Sequence, residues 1–121
     1  MGGCATSGRD NKQYQNFLKY GNAMRRNPQA LQVGQFIIPV YTTPDGKRET
    51  MRFSKINSVT GQIIDRNFSW YSGDIEITKI KKTAKQVKVE CVSPNGSVLR
   101  RTFKPDDLIF IRKKAGQYKE K

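Results

Sequence analysis

Residues 74–112 alternate apolar and charged side chains in short runs parted by turn residues, and no other stretch constrains the fold as tightly. Ile75 and Ile77 alternate with Asp74 and Glu76, and Val87, Val89 and Cys91 alternate with Lys88, Glu90 and Val92. A period of two marks a strand with one buried face. Ile80 falls out of phase, which predicts a bulge or a strand end near Thr78 and Lys79. Lys81-Lys82-Thr83-Ala84-Lys85 reads as a polar turn. Ser93-Pro94-Asn95-Gly96 reads as a hairpin turn, because Asn-Gly readily takes positive φ. Residues 98–103 form the return strand, with Arg100, Arg101 and Lys104 on it. Pro105-Asp106-Asp107-Leu108 predicts a single 3₁₀ turn. Ile109, Phe110 and Ile111 make a last strand, ended by Arg112-Lys113-Lys114.

The preceding chain supplies one helix and more strands. Residues 1–9 and 115–121 are expected to be flexible tails. Residues 10–28 predict a helix. Asp10 caps it, Tyr14, Phe17, Leu18 and Met24 share one face, Arg25 and Arg26 suit its C-terminus, and Asn27-Pro28 ends it. The helical period of that stripe favours packing on a sheet over a base-stacking surface. Residues 33–56 predict a hairpin. Phe36, Ile37, Ile38, Val40 and Tyr41 run to a Thr43-Pro44-Asp45-Gly46 turn, and Met51 and Phe53 return between Arg48, Arg52 and Lys55. Pro39 places the first strand at an edge or a bulge. Ile63 and Ile64 suggest a short strand over 62–66. The loop at 67–73 then holds Phe68, Trp70 and Tyr71 among Ser, Asn and Gly. These aromatics either stack on unpaired bases or fold back to plug one end of a small barrel.

Charge narrows the class of partner. Lys and Arg total 23 against 10 Asp and Glu, a net charge of +13. From Thr78 onward, 13 basic residues face 4 acidic ones. A field of that sign favours polyanions: nucleic acid, an anionic membrane or an acidic protein surface. Histidine is absent, which removes Ser-His-Asp and Cys-His catalysis and the common His-containing zinc sites. No Gly-rich phosphate loop is present. Asp106 and Asp107 are neighbours and make poor acid/base partners, while Asp65, Asp74 and Glu76 can converge only in three dimensions. No enzyme, cofactor or metal is expected. Two cysteines, Cys4 and Cys91, imply no disulfide framework and a reducing, cytoplasmic setting. No long apolar run or secretory signal is found. The start, MGGCATSG, formally fits the myristoylation pattern, with Gly2 as acceptor and Cys4 available for a second acyl chain. Membrane attachment is expected only if both are acylated.

The order after Gly73-Asp74 is a strand, a Lys-rich turn, a strand pair across Asn95-Gly96, a Pro-Asp-Asp-Leu turn and a last apolar strand. It resembles the second half of small SH3-like barrels of the KOW and Tudor-like group. Residues 103–109, Phe-Lys-Pro-Asp-Asp-Leu-Ile, are similar to the one-turn junction before the closing strand of such barrels. Val59-Thr60-Gly61-Gln62-Ile63 is weakly similar to a KOW Gly-x-Ile step. The resemblance covers about half the chain and brings no recognition signature with it. It implies a mainly β fold: a small SH3-like antiparallel barrel over residues 33–114, preceded by one N-terminal helix. A compact, basic, histidine-free chain of this kind suits an accessory factor of a phage or other mobile element.

The expected function is that of a small basic nucleic-acid-binding accessory protein that contacts the phosphate backbone with weak sequence preference. The candidate contacts are Lys79, Lys81, Lys82, Lys85, Lys88, Arg100, Arg101 and Lys104, with Arg48 and Arg52 extending the surface. Trp70 and Tyr71 join them if exposed. The alternative is an adaptor or inhibitor that docks on an acidic surface of a protein such as a polymerase.

Overall fold

The helix is shorter than its apolar stripe suggests. The structure is a computed structural model and describes residues 11–70 and 73–113. Helix α1 spans Lys12–Tyr20. Its cap is Asn11, whose side chain accepts from the Gln13 and Tyr14 amides, so the cap lies one residue later than expected. Gly21 closes the helix, and Asn22 follows at φ 50°, a left-handed conformation that Asn tolerates. The expected helix over 10–28 is therefore corrected. Residues Ala23–Arg25 form a strand, β1, because pairing with the far end of the chain outweighs their local helical pattern.

Nine more strands follow: β2 (Phe36–Ile37), β3 (Val40–Thr42), β4 (Arg48–Thr50), β5 (Arg52–Ile56), β6 (Ile63–Ser69), β7 (Ile75–Lys82), β8 (Val87–Val92), β9 (Val98–Phe103) and β10 (Phe110–Arg112). Strand makes up 46% of the described residues, so the chain is mainly β. Every ladder is antiparallel. Eight strands join in the order β1-β10-β2-β7-β8-β9-β5-β6, and β3 with β4 forms a separate hairpin. The expected hairpin over 33–56 is thus divided. Only β3–β4 pair across Pro44-Asp45-Gly46, while β2 and β5 enter the large sheet at different places. Pro39 marks the break; its carbonyl accepts from the Met51 amide as the hairpin leaves the sheet.

The second half follows its pattern closely. The register between β7 and β8 slips between Ile77 and Lys79, so Thr78 is an extra residue and its hydroxyl donates to the Glu90 carbonyl. This is the bulge that the phase of Ile80 demands. Lys81 and Lys82 belong to β7, so the turn there is confined to 83–86, where the Thr83 amide donates to the Gln86 carbonyl. The 93–96 turn has Gly96 at φ 89°. At 104–107 the Asp107 amide donates to the Lys104 carbonyl and the Asp107 carboxylate accepts from the Lys104 amide. Strand β6 runs on to Ser69, so Phe68 lies in a strand and not in a loop.

The inward residues of β2, β5, β7, β8, β9 and β10 form one buried cluster with Leu31, Met51 and Ile109. Met24 from edge strand β1 and Phe68 from the opposite edge strand β6 both pack against it. The sheet therefore curls around a single core. It does not close, because no ladder joins β1 to β6. A second, smaller cluster fixes the helix: Phe110 is fully buried and meets Phe17 and Tyr14 edge-on at 5.1 and 6.0 Å, with Tyr41 at 5.5 Å. Leu18 packs there too, so the helical stripe serves packing. Arg112 draws three segments together. Its Nε and Nη2 donate to the Asp74 carboxylate at 2.7 and 2.8 Å, and its Nη1 donates to the Gly21 carbonyl.

Candidate functional site

The ladders decide which basic side chains share a face, since directly opposed residues on neighbouring strands point the same way. Lys79 faces Glu90, Glu90 faces Arg100, and Arg100 faces Ser54, which sets four side chains in a row across β7, β8, β9 and β5. Two residues along, Lys81 faces Lys88 and Lys88 faces Thr102. Both rows lie on the outer face, because Ile80, Val89 and Arg101 take the intervening inner positions, with Ile80 and Val89 in the core. Without the Thr78 bulge Lys79 and Lys81 would point into the core. By the same alternation Arg52, exposed, lies beside Ser54 on the outer face.

This face is an open trough of about 520 Å³. Lys79, Lys81, Lys88 and Arg100 line it around one carboxylate, that of Glu90. Glu90 accepts from Arg100 Nε at 3.1 Å and approaches Lys79 Nζ at 3.7 Å. The side chains of Lys81 and Lys88 have no carboxylate or hydrogen-bond partner among the described residues. Two cations placed directly opposite one another repel, at a cost of a few tenths of a kcal/mol or about 1 kcal/mol at most. One end of the trough is apolar. Ile56 is buried there but belongs to neither core cluster, and Ile63 beside it is 41% exposed.

The other expected contact residues do not stand in these two rows. Lys82 lies on the inner side opposite Val87, and its Nζ donates to the Gln29 carbonyl at 2.8 Å. Arg101 also points inward. Its Nη1 donates to the Arg52 carbonyl at 2.8 Å and its guanidinium lies 5.3 Å from the centre of the Phe103 ring. Lys85 is exposed at the tip of the 83–86 turn, Lys104 is exposed past the end of β9, and Arg48 stands on the separate hairpin. Trp70 is half-buried against the core, and its Nε1 is buried with no partner among the described residues. Tyr71, Gly2, Cys4 and Asp10 lie outside the described residues. The structure thus joins five of the expected residues along one trough, four with side chains on its outer face and Arg101 between the two rows with its side chain turned inward. It adds Ser54, Ile56, Ile63, Glu90 and Thr102, which sequence reading did not assign to a site. The alternation within each strand carried their facing, but the pairing of β9 with β5 had no local signal.

Among the described residues, the carboxylates Asp65, Asp74 and Glu76 are not brought together. Asp65 on β6 is separated from Asp74 and Glu76 by three intervening strands, and Asp74 is taken by Arg112. Cys91 is buried and unpaired, and burial first, then Glu90, pushes its thiol up to about 12. No group of three or more Cys, Asp or Glu among the described residues is placed to hold a metal ion. Tyr41 is also raised above its usual value, chiefly by burial and then by Glu49, with Arg101 opposing. No helix among the described residues is long and apolar enough to cross a membrane. Comparison with known proteins finds no family model, curated protein or solved structure that matches the chain.

Proposed function

We propose that the protein is a small basic nucleic-acid-binding accessory factor whose outer-face trough contacts the phosphate backbone. One observation carries this reading: Lys81 and Lys88 stand directly opposite each other, without acidic partners among the described residues, beside Lys79 and Arg100. A phosphate between two such lysines relieves their repulsion and gains two charge-assisted contacts. Phosphate contacts carry no base information, so sequence preference is weak. In this reading the curled sheet is an unclosed relative of the SH3-like barrel, an architecture that by itself does not select a ligand.

The test is a filter-binding titration against salt. With about three or four phosphates neutralised, log K falls with log salt at a slope of about −3. Changing Lys81 and Lys88 together to Gln lowers the steepness by about 2, one for each lost phosphate contact. No affinity for DNA or RNA at low salt ends the reading.

A second reading has its own support. Val59 and Ile64 are 91% and 59% exposed on the segment that borders the trough, and apolar side chains beside cations suit an acidic protein surface. Capture of one stoichiometric protein partner that survives nuclease treatment favours this adaptor reading over the first.

A further inference from the structure

The trough holds more than a phosphate track needs. A carboxylate stands in its middle, and one end is apolar. We propose that the trough takes single-stranded nucleic acid in preference to a duplex, with phosphates on Lys81 and Lys88 and a base lodged against Ile63 and the Glu90–Arg100 pair. This rests on the nucleic-acid reading above and names the form of its ligand.

Width argues first. The trough is the face of four adjacent strands, β7, β8, β9 and β5. Their outer axes are about 14 Å apart at about 4.8 Å per strand. The major groove of B-form DNA is about 12 Å wide and admits a helix or a two-stranded ribbon, so four strands cannot enter it to reach base edges. Against a duplex this face meets phosphates only, and the Glu90 carboxylate then opposes binding.

A single strand uses every part. Glu90 offers acceptor positions and Arg100 offers donors, side by side on one row. Base edges carry neighbouring donors and acceptors that pairing hides in a duplex and exposes in a single strand. Ile63 gives an apolar surface for the base plane, and the volume of about 520 Å³ suits a ligand the size of one or two nucleotides. Among the described residues no aromatic side chain lines this trough, so the base packs on aliphatic surface and Trp70 takes no part.

Charge density alone predicts the reverse order, because a duplex carries more phosphate per length than a single strand. The comparison is therefore diagnostic. Fluorescence anisotropy would use short labelled DNA and RNA single strands and a blunt duplex of equal length, at low salt. The expected result is single strands bound about ten-fold tighter than the duplex. Ile63→Ser, at a solvent-exposed position, should weaken single-strand binding about five-fold and leave duplex binding unchanged. Glu90→Gln should raise duplex affinity and narrow the ratio. A duplex bound as tightly as single strands overturns the proposal, as does an Ile63→Ser variant that weakens both equally or neither. Those results leave the nucleic-acid reading standing. Absence of binding to every probe removes that reading and this one with it.

Discussion

Cys91 and Glu90 are chain neighbours that face opposite sides of one sheet, and their chemistry follows from that. Glu90 is held between Lys79 and Arg100 in the trough. Cys91 packs in the core, where burial pushes its thiol up to about 12 from an ordinary 9.0. The thiol is thus held neutral in the folded chain, while an unfolded chain ionises it near pH 9. Its contribution to stability is complete below pH 9 and is lost as pH rises toward 12, at about 1.4 kcal/mol per unit. Urea unfolding across this range should show that slope in the parent chain, made steeper above pH 10 by Tyr41, which is raised in the same direction. Cys91→Ala should be less stable at neutral pH, through a small cavity, and show a flatter alkaline limb. An equally steep limb in the variant would refute the assignment. The inert, buried thiol was legible in the sequence from the alternation of Val87, Val89 and Cys91. The ion pairs of Glu90 were not, because they depend on which strands lie on either side of β8.

Among the elements, α1 depends most on its neighbours. Nine residues are too few for an independent helix in water. Its stability comes from Tyr14, Phe17 and Leu18 against Phe110. Phe110→Ala should cost about 3–5 kcal/mol in chemical denaturation and release the helix, read as a loss of amide protection over 14–20. Retained protection there would mean that the helix is held some other way. The stripe itself was legible, but its end was not. Gly21-Asn22 is a stop signal, yet Met24 keeps the helical spacing, and only pairing of Ala23–Arg25 with β10 resolves the conflict. The β7 bulge was readable because a period of two exposes a one-residue slip at once. Deleting Thr78 removes the extra residue, so Ile77, Lys79, Ile80 and Lys81 then alternate without a slip and Lys79 and Lys81 still face outward. The expected outcome is a folded variant that keeps a cooperative thermal transition; loss of that transition would contradict the register.

At the scale of the whole molecule, charge and stability pull against each other. A net charge of +13 on 121 residues makes the compact state repel itself, and the trough concentrates part of that cost. Changing Lys81 and Lys88 together to Gln should therefore keep or raise Tm by a degree or a few, about 1 kcal/mol or less, while weakening polyanion binding. A marked fall in Tm would show that the pair is structural. The excess of positive charge, the mainly β class and the turns were legible from residue order alone. How far the sheet closes was not, since that depends on what joins β1 to β6. The gathering of only some lysines into one trough also escaped sequence reading, since β5 and β9 pair across a long separation. That same separation has a consequence for synthesis. The last described strand, β10, is inserted between β1 and β2, two of the first to be made. Until β10 has emerged from the ribosome, those two strands have an empty lane between them, and Phe110 is not there to seat the helix. The trough side, β5 to β9, can pair as it emerges, whereas β1 and β2 must wait for β10. Assembly of the sheet is thus timed by β10, and a stalled chain lacking β10 exposes β1, β2 and the apolar face of α1 together.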